Sequence, residues 1–274
     1  GTETMIMAAV RAKGITILEN AALEPEIDDL IEFLNEMGGK IKRRSGRVIK
    51  IEGVENLKGT IHKAMPDRNE AVSYACAALA TKGDIIIENA QPKPLWAFLK
   101  KVNQAGGNYE VDGYGIRFWY SQPLKAVDVI TKPHPAFMTD WQPLWTTLMT
   151  QAKGTSEIIE TVYEYRFGFT QDLIKMGARV KFFNPRVKKP DEFYNFNLED
   201  DQPGSFHGIK VKGPTSLWGA EMTVTDIRAG ATLVLAALAA KGKSILHDDG
   251  HIKRGYEDLH LRLGELGADI KRIE

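Results

Sequence analysis

Four stretches of this chain follow one plan, and that repetition limits the possible folds more than any other feature. MIMAAVRAKGITILENA, YACAALATKGDIIIENA, TTLMTQAKGTSEIIETV and LVLAALAAKGKSILHDD each read as an alanine- or leucine-rich helix, closed by Lys-Gly and followed by a β-rich run. The closing glycines, Gly14, Gly83, Gly154 and Gly242, are expected helix stops, because glycine accepts the left-handed backbone without a Cβ clash. A second helix follows in each unit: EIDDLIEFLNEMGGKI, PLWAFLKKVNQAGGNY, FTQDLIKMGARV and YEDLHLRLGELGADI. Apolar residues recur there at helical spacing, as in Ile27, Leu30, Ile31 and Leu34. These helices again end on glycine: Gly38, Gly106, Gly177 and Gly267. Paired short strands come next, KIKRR with RVIKIEG and NYEV with GIRFWY, each joined by a glycine-containing turn. A further strand is expected before each first helix. The pattern predicts an α/β protein of repeated two-layer modules, each burying one helix face on a sheet.

The first three closing glycines are 69 and 71 residues apart, but the last gap is 88. The third unit therefore carries an insertion, placed at about 184–207, where proline, asparagine and acidic residues cluster. It is expected to be a surface excursion between the strands of one module. Its aromatic residues, Phe193, Tyr194, Phe196 and Phe206, are expected to pack either on the excursion itself or on a partner domain.

Lys+Arg and Asp+Glu are both 36, so the net charge is zero and the basic excess of a nucleic-acid protein is absent. Any anion site must come from local arginines. The single cysteine, Cys76, lies in the apolar helical stretch AVSYACAALA and reads as a buried structural thiol; a reducing compartment fits. No run reaches membrane-span length and no signal peptide is visible, so a soluble, cytoplasmic protein is expected. The six histidines are scattered, and neither a zinc-ligand spacing nor a nucleotide-binding glycine fingerprint occurs, so no metal and no cofactor is expected. The chain opens on Gly1 directly in a helical pattern, and its last unit stops one strand short of its siblings; it reads as a fragment, a cleaved product or a truncated chain.

Three units place an aspartate just before the first helix: Asp67 in MPDRNE, Asp140 in MTDWQP and Asp226 in VTDIRA. Aspartate is a preferred N-cap and complements the helix dipole, so capping explains all three. The arginines are harder to place. Arg68 and Arg228 stand in the first helical turn, Arg254 at the start of HIKRGYEDL and Arg166 in ETVYEYRF. A cation at a helix N-terminus opposes the dipole unless an anion lies between them. Ordinary ion pairing with nearby carboxylates and a shared phosphate or carboxylate site remain equal alternatives on these residues alone.

Six blocks, GITILENAALEPEIDDLIEFLNEMGGKI, MPDRNEA, KAVDVITKPHPAFMTDWQP, GTSEIIETVYEYRF, TDIRAGATLVLAALAAKG and HIKRGYEDLHLRLGELGADI, resemble the UDP-N-acetylglucosamine 1-carboxyvinyltransferases in order and spacing. The sister 5-enolpyruvylshikimate-3-phosphate synthases share the fold, but LENAALEPEI and HIKRGYE favour the UDP-sugar branch. The resemblance implies βαβαββ modules, helices inside and sheets outside, in the enolpyruvyl transferase inside-out barrel fold. It implies that residues 1–63 are the last module of a first catalytic domain and 64–274 a second domain of three modules. It implies transfer of the enolpyruvyl group from phosphoenolpyruvate to the 3-hydroxyl of UDP-N-acetylglucosamine, the first committed step towards peptidoglycan. Asp140 then matches the base or proton shuttle beside that hydroxyl, and Val162 a UDP-sugar contact. Asp226, Arg228 and Arg254 match positions around phosphoenolpyruvate, Arg166 an arginine of the same cleft, and Glu24 and Glu26 acids of the facing domain. The family's lysine–asparagine pair and its loop cysteine or aspartate have no match here; the resemblance puts them upstream of Gly1. The partner it calls for is that missing N-terminal segment, without which turnover is not expected. Tyr165 stands where the family usually has asparagine, and Trp141 also departs from the pattern; both are expected to narrow the sugar site. A shikimate-type transferase and a non-catalytic ligand- or protein-binding homologue are the competing expectations.

Overall fold

A computed structural model describes residues 1–273 of the chain. They divide into two compact units: residues 1–66 together with Pro133–Pro135, and residues 67–132 together with those from 136 onward.

The first unit runs α1 (Thr2–Ala9), β1 (Ile15–Leu18), α2 (Pro25–Glu36), β2 (Lys40–Ser45) and β3 (Val48–Glu52). Its sheet has the order β1-β3-β2, all antiparallel. Ile6, Val10, Ile27, Leu34, Ile49 and Ile51 close its core between sheet and helices. Proline at the first position of α2 starts the helix where no N–H is needed.

The second unit repeats that arrangement. Its first module is α3 (Arg68–Thr81), β4 (Asp84–Glu88), α4 (Pro92–Ala105), β5 (Asn108–Val111) and β6 (Gly115–Trp119), with sheet order β4-β6-β5. The next is β7 (Val129–Ile130), a 3-10 turn (Thr139–Trp141), α5 (Gln142–Thr150), β8 (Gly154–Ile159), α6 (Thr170–Lys175) and β9 (Arg179–Phe183). A short α7 (Pro190–Phe193) and β10 (Gly208–Gly213) complete it, in the order β7-β8-β10-β9. The last holds β11 (Glu221–Thr223), α8 (Ile227–Ala239), β12 (Ile245–His247), α9 (His251–Gly255) and α10 (Leu259–Glu265). Among the described residues no strand follows α10.

The second-helix glycines are the clearest mark of the repeat. Gly38, Gly106, Gly177 and Gly267 all take positive φ, between 78° and 100°. After each, the next N–H reaches back five residues: Gly39 to Leu34, Gly107 to Val102, Ala178 to Leu173 and Ala268 to Leu263, at 2.8–3.0 Å. This is the Schellman closure, and it needs the left-handed residue that glycine supplies.

Two expectations are corrected. The Lys-Gly glycines do not end the first helices. Gly14, Gly154 and Gly242 lie several residues beyond the last helical turn, at the entrance to the following strand. After α3 the left-handed residue is Lys82, not Gly83. Alanine and lysine favour helix, so the pattern alone runs each helix too far. An opening strand also precedes α5 and α8 but not α3 among the described residues. Where present, it pairs in parallel across its helix, β7 with β8 and β11 with β12.

In the second unit α3, α5 and α8 pack on one another and form the centre, with the sheets around them. Every residue of α5 is buried, including Gln142, Thr146, Thr147 and Thr150. Such a helix has no polar face to show, and several of its polar groups bond within the helix: Gln142 Nε2 to Thr146 Oγ1 and Thr150 Oγ1 to the Thr147 carbonyl. Gln142 Oε1 and Thr147 Oγ1 are buried without a partner among the described residues. Cys76 is buried in the same core, and burial pushes its thiol up, as an inert packing residue requires.

Glycine sets how closely α9 approaches α8. A Cβ on Gly230 would lie 2.6 Å from Ile252 Cγ1, and one on Gly255 would lie 2.3 Å from Ile227 Cγ2. Alanine at 230 gains about 1 kcal/mol of helix propensity but loses about 1–3 kcal/mol to overpacking. Gly230→Ala is therefore expected to lower the thermal midpoint; an unchanged or raised midpoint would show that the two helices separate freely.

Candidate functional site

The mutual packing of α3, α5 and α8 brings their N-terminal ends together. Trp141, at the start of α5, is 1% exposed and donates from Nε1 to Asn69 Oδ1 of α3 at 3.0 Å. It stands edge-on to Phe137 and Phe98, and the Arg68 guanidinium lies 5.9 Å from its ring centre. Arg68 itself is buried.

The three equivalent aspartates part company here. Asp67 caps α3, accepting from the N–H groups of Asn69 and Glu70. Asp226 caps α8, accepting from Arg228 and Ala229 at 2.8 and 2.9 Å. Asp140 makes no such cap: it sits in the 3-10 turn that leads into α5, and its carboxylate turns to two guanidinium groups. One oxygen accepts from Arg166 Nη2, the other from Arg228 Nη2 at 3.1 Å.

Arg228 is fixed from a second side. Burial draws its pKa down, but the Asp140 charge and the Tyr256 hydroxyl outweigh burial and hold it above its ordinary value. Burial in turn keeps the Tyr256 hydroxyl above its usual range, so it stays protonated. It lies 2.8 Å from Ser73 Oγ, which donates to the Asn69 carbonyl. A continuous chain thus runs Asp140–Arg228–Tyr256–Ser73–Asn69 and returns through Trp141 to the turn that holds Asp140. Arg166 lies 5.5 Å from the Tyr163 ring centre, and its Nε is buried without an acceptor among the described residues.

Glu160 is the residue that sequence reasoning missed. It is 1% exposed, yet its carboxylate accepts four hydrogen bonds. They come from Thr131 Oγ1 at 2.7 Å, Thr139 Oγ1 at 2.9 Å and the N–H groups of Val162 and Tyr163 at 2.7 and 3.1 Å. It therefore ties the residue before Asp140 to the segment that carries Val162 and Arg166. Its donors lie far apart in the chain or on the backbone, so ETVYEYRF shows nothing of this; an acid closing an apolar strand was the only available signal.

The remaining expected residues sit elsewhere. Arg254 is exposed on α9, two residues before Tyr256, and forms no ion pair among the described residues. Val162 meets Glu160 through its backbone and does not join the Asp140 cluster. Glu24 and Glu26 belong to the first unit, at the N-cap and in the first turn of α2, where carboxylates suit the dipole. Glu24 Oε1 accepts from the His134 N–H at 3.4 Å. Among the described residues no three His, Cys, Asp or Glu side chains are grouped to hold a metal, and no helix is long and apolar enough to cross a membrane.

Burial raises the pKa of Glu160 from about 4.5, against the lowering effect of its four donors. The folded protein then holds that proton to a higher pH than the unfolded chain does. The stability this group contributes accordingly falls as pH rises above about 4.5 and through the folded value. Glutamine keeps the acceptor oxygen and can donate to Thr139, so Glu160→Gln is expected to stay within about 1 kcal/mol of wild type, whereas Glu160→Ala strands buried donors and costs about 3 kcal/mol or more. Denaturant titrations at pH 5 and pH 7.5 should show the glutamine variant gaining on wild type at the higher pH. A gain for wild type instead would mean that the four donors outweigh burial.

The model of the EPSP synthase (3-phosphoshikimate 1-carboxyvinyltransferase) family matches residues 1–263. A UDP-N-acetylglucosamine 1-carboxyvinyltransferase of Halothermothrix orenii is 41% identical over 273 residues, covering all of this chain and 60% of the relative. That of Protochlamydia amoebophila is 39% identical over 275 residues, covering 58% of the relative. The chain thus spans about three-fifths of the length of these curated relatives. Among solved structures, the enolpyruvyl transferase NikO from Streptomyces tendae superposes with a TM-score of 0.79 at 27% identity, over 97% of this chain and 58% of that one. With nearly the whole chain inside the family model and the modules superposing on a solved member, the chain belongs to the EPSP synthase family of enolpyruvyl transferases.

Proposed function

We propose that this chain is part of a cytoplasmic enzyme that moves the enolpyruvyl group of phosphoenolpyruvate to the 3-hydroxyl of UDP-N-acetylglucosamine, as the first committed step towards peptidoglycan. The observation that carries this reading is the departure of Asp140 from its two capping siblings. Its carboxylate is released from the helix end and held by two arginines at the meeting point of three helix N-termini. The family model carries the shikimate name, but relatives near 40% identity over the whole chain carry the UDP-sugar name, which favours the UDP-sugar acceptor.

The residue types suit the reaction. Phosphoenolpyruvate brings a phosphate and a carboxylate, and guanidinium forks bind both in bidentate fashion. Arg228, Arg166 and the exposed Arg254 are assigned to that anion. Asp226 keeps the Arg228 N–H and its helix turn in place. Val162 is assigned to the sugar nucleotide.

In the transfer the sugar oxygen attacks C2 of phosphoenolpyruvate while C3 takes up a proton, giving a tetrahedral ketal. Loss of a proton from C3 then expels phosphate and restores the double bond on the new ether. Each Asp140 oxygen accepts from one guanidinium and keeps a further lone pair to which a sugar hydroxyl can donate. An arriving anion draws the guanidinium groups off and makes the carboxylate a stronger base. Asp140 is then free to accept the hydroxyl proton, and the arginines stabilise the leaving phosphate.

Phosphate release from phosphoenolpyruvate, with UDP-N-acetylglucosamine or shikimate 3-phosphate added to the intact protein, tests the reading; release with shikimate 3-phosphate alone would overturn it. Arg228→Ala and Arg254→Ala should each weaken phosphoenolpyruvate about ten- to a hundredfold, equivalent to roughly 1.5–3 kcal/mol for a charge-assisted contact, and affect the UDP-sugar less. Asp140→Asn should lower turnover about 10²–10⁴-fold. Asp67→Asn, which still caps α3, should leave turnover near wild type.

A further inference from the structure

Residues 184–207 join β9 to β10, although Phe183 and Gly208 already pair across the sheet. A two-residue turn would close such a hairpin. The longer path is ordered in two places. At its base, Asn184 Oδ1 accepts from the His207 N–H at 2.8 Å, and Asn184 Nδ2 donates to the Ser205 carbonyl at 3.0 Å. Further out, His207 Nε2 lies 2.9 Å from Asp201 Oδ2, and the rings of Tyr194 and Phe196 stand 5.0 and 5.1 Å from the imidazole. The aromatic residues that sequence reasoning assigned either to the excursion itself or to a partner domain therefore pack largely on each other and on His207.

What this ordered excursion touches is the segment after β8. The Asn195 N–H donates to the Thr161 carbonyl at 2.7 Å, and Asn195 Nδ2 lies 3.3 Å from Thr161 Oγ1. The Tyr165 hydroxyl donates to the Asp200 carbonyl at 2.9 Å. The His207 carbonyl accepts from the Glu160 N–H at 2.9 Å. Thr161 is fully buried, and its hydroxyl donates to the Thr131 carbonyl. Residues 161–165 are thus gripped on one side by Glu160 and Thr131 and on the other by the excursion. Between the grips lie Val162 and the half-exposed Tyr163, whose ring meets the Arg166 guanidinium that pairs with Asp140.

We propose that the 184–207 excursion is a specificity element for the hydroxyl-bearing acceptor: through Asn195 and Asp200 it fixes the 161–165 segment and, with Tyr165, sets which nucleotide sugar fits. This rests on the assignment of Val162 to the acceptor made under the proposed function. Of the anion arginines, Arg228 and Arg254 make no hydrogen bond or ion pair with the excursion among the described residues. Arg166 follows the gripped 161–165 segment and is held by Asp140, so phosphoenolpyruvate binding should feel the excursion less than the acceptor does.

Three variants of the intact protein test this: Asn195→Ala, Tyr165→Phe, and replacement of 184–207 by Asn-Gly. Initial rates would be measured with phosphoenolpyruvate and each of UDP-N-acetylglucosamine, UDP-N-acetylgalactosamine and shikimate 3-phosphate. In the two point variants KM for UDP-N-acetylglucosamine should rise about tenfold, equivalent to about 1.4 kcal/mol, with KM for phosphoenolpyruvate within about twofold. The kcat/KM preference between the two UDP-sugars should fall towards one in the replacement variant. Amide exchange at 161–165 should quicken in Asn195→Ala. Point variants with unchanged acceptor KM, or with both KM values rising together, would overturn the proposal even if the replacement variant fails to fold. A wild type that uses none of the acceptors would overturn the functional assignment and this one with it; a wild type active on UDP-N-acetylglucosamine with indifferent variants would overturn only the role of the excursion.

Discussion

The site depends on one carboxylate that is kept from capping. Each helix N-terminus carries a partial positive charge of about half an electron, and α3, α5 and α8 bring three of them to one end of the second unit. Arg68, Arg166 and Arg228 add to that positive field. Asp67 and Asp226 answer it locally, each bound to the N–H groups of its own helix. Asp140 answers the arginines instead, and joins α8 to the segment after β8. These pairs are partly buried, and the bonds of Tyr256 to Ser73 and of Trp141 to Asn69 hold the elements around them.

Pseudo-symmetry explains how the chain builds such a place. Every module that opens with a strand crosses back in parallel through a helix, so each first helix runs the same way relative to its sheet. Three copies packed on one another then align their N-termini without any special design. Among these N-termini the copies differ at one place. One helix is preceded by a short 3-10 turn, and that turn lifts its aspartate out of capping range.

The sequence reveals the modules well, because Schellman glycines and alternating strands are local signals. Gly38, Gly106, Gly177 and Gly267 fall where periodicity places them. The ends of the first helices are not legible: Lys82 adopts the left-handed conformation that the pattern assigns to Gly83, and lysine carries no signal for it. Asp140, Arg166 and Arg228 are legible as residues, but the ion pairing open on sequence was with a neighbouring acid, whereas both arginines pair with Asp140, which is distant in the chain. Glu160 was not legible at all. Its burial comes from Thr131 and Thr139, which are distant in the chain, and from two backbone donors.

The excursion shows the same limit from another side. Its position is plain from a spacing that breaks the repeat, and lengthening a surface loop adds only about 0.6 kcal/mol of closure entropy per doubling. Cheap closure explains why it is tolerated, but not why it is ordered. Order comes from Asn184 at the base, the Asp201–His207 pair and the aromatic cluster on the imidazole. A loop that only bridged β9 and β10 would need none of these. Their combined effect is to hold Asn195 against Thr161, next to the strand end where Glu160 is anchored. The added length is thus spent at the edge of the site, on the segment that joins Val162 to Arg166.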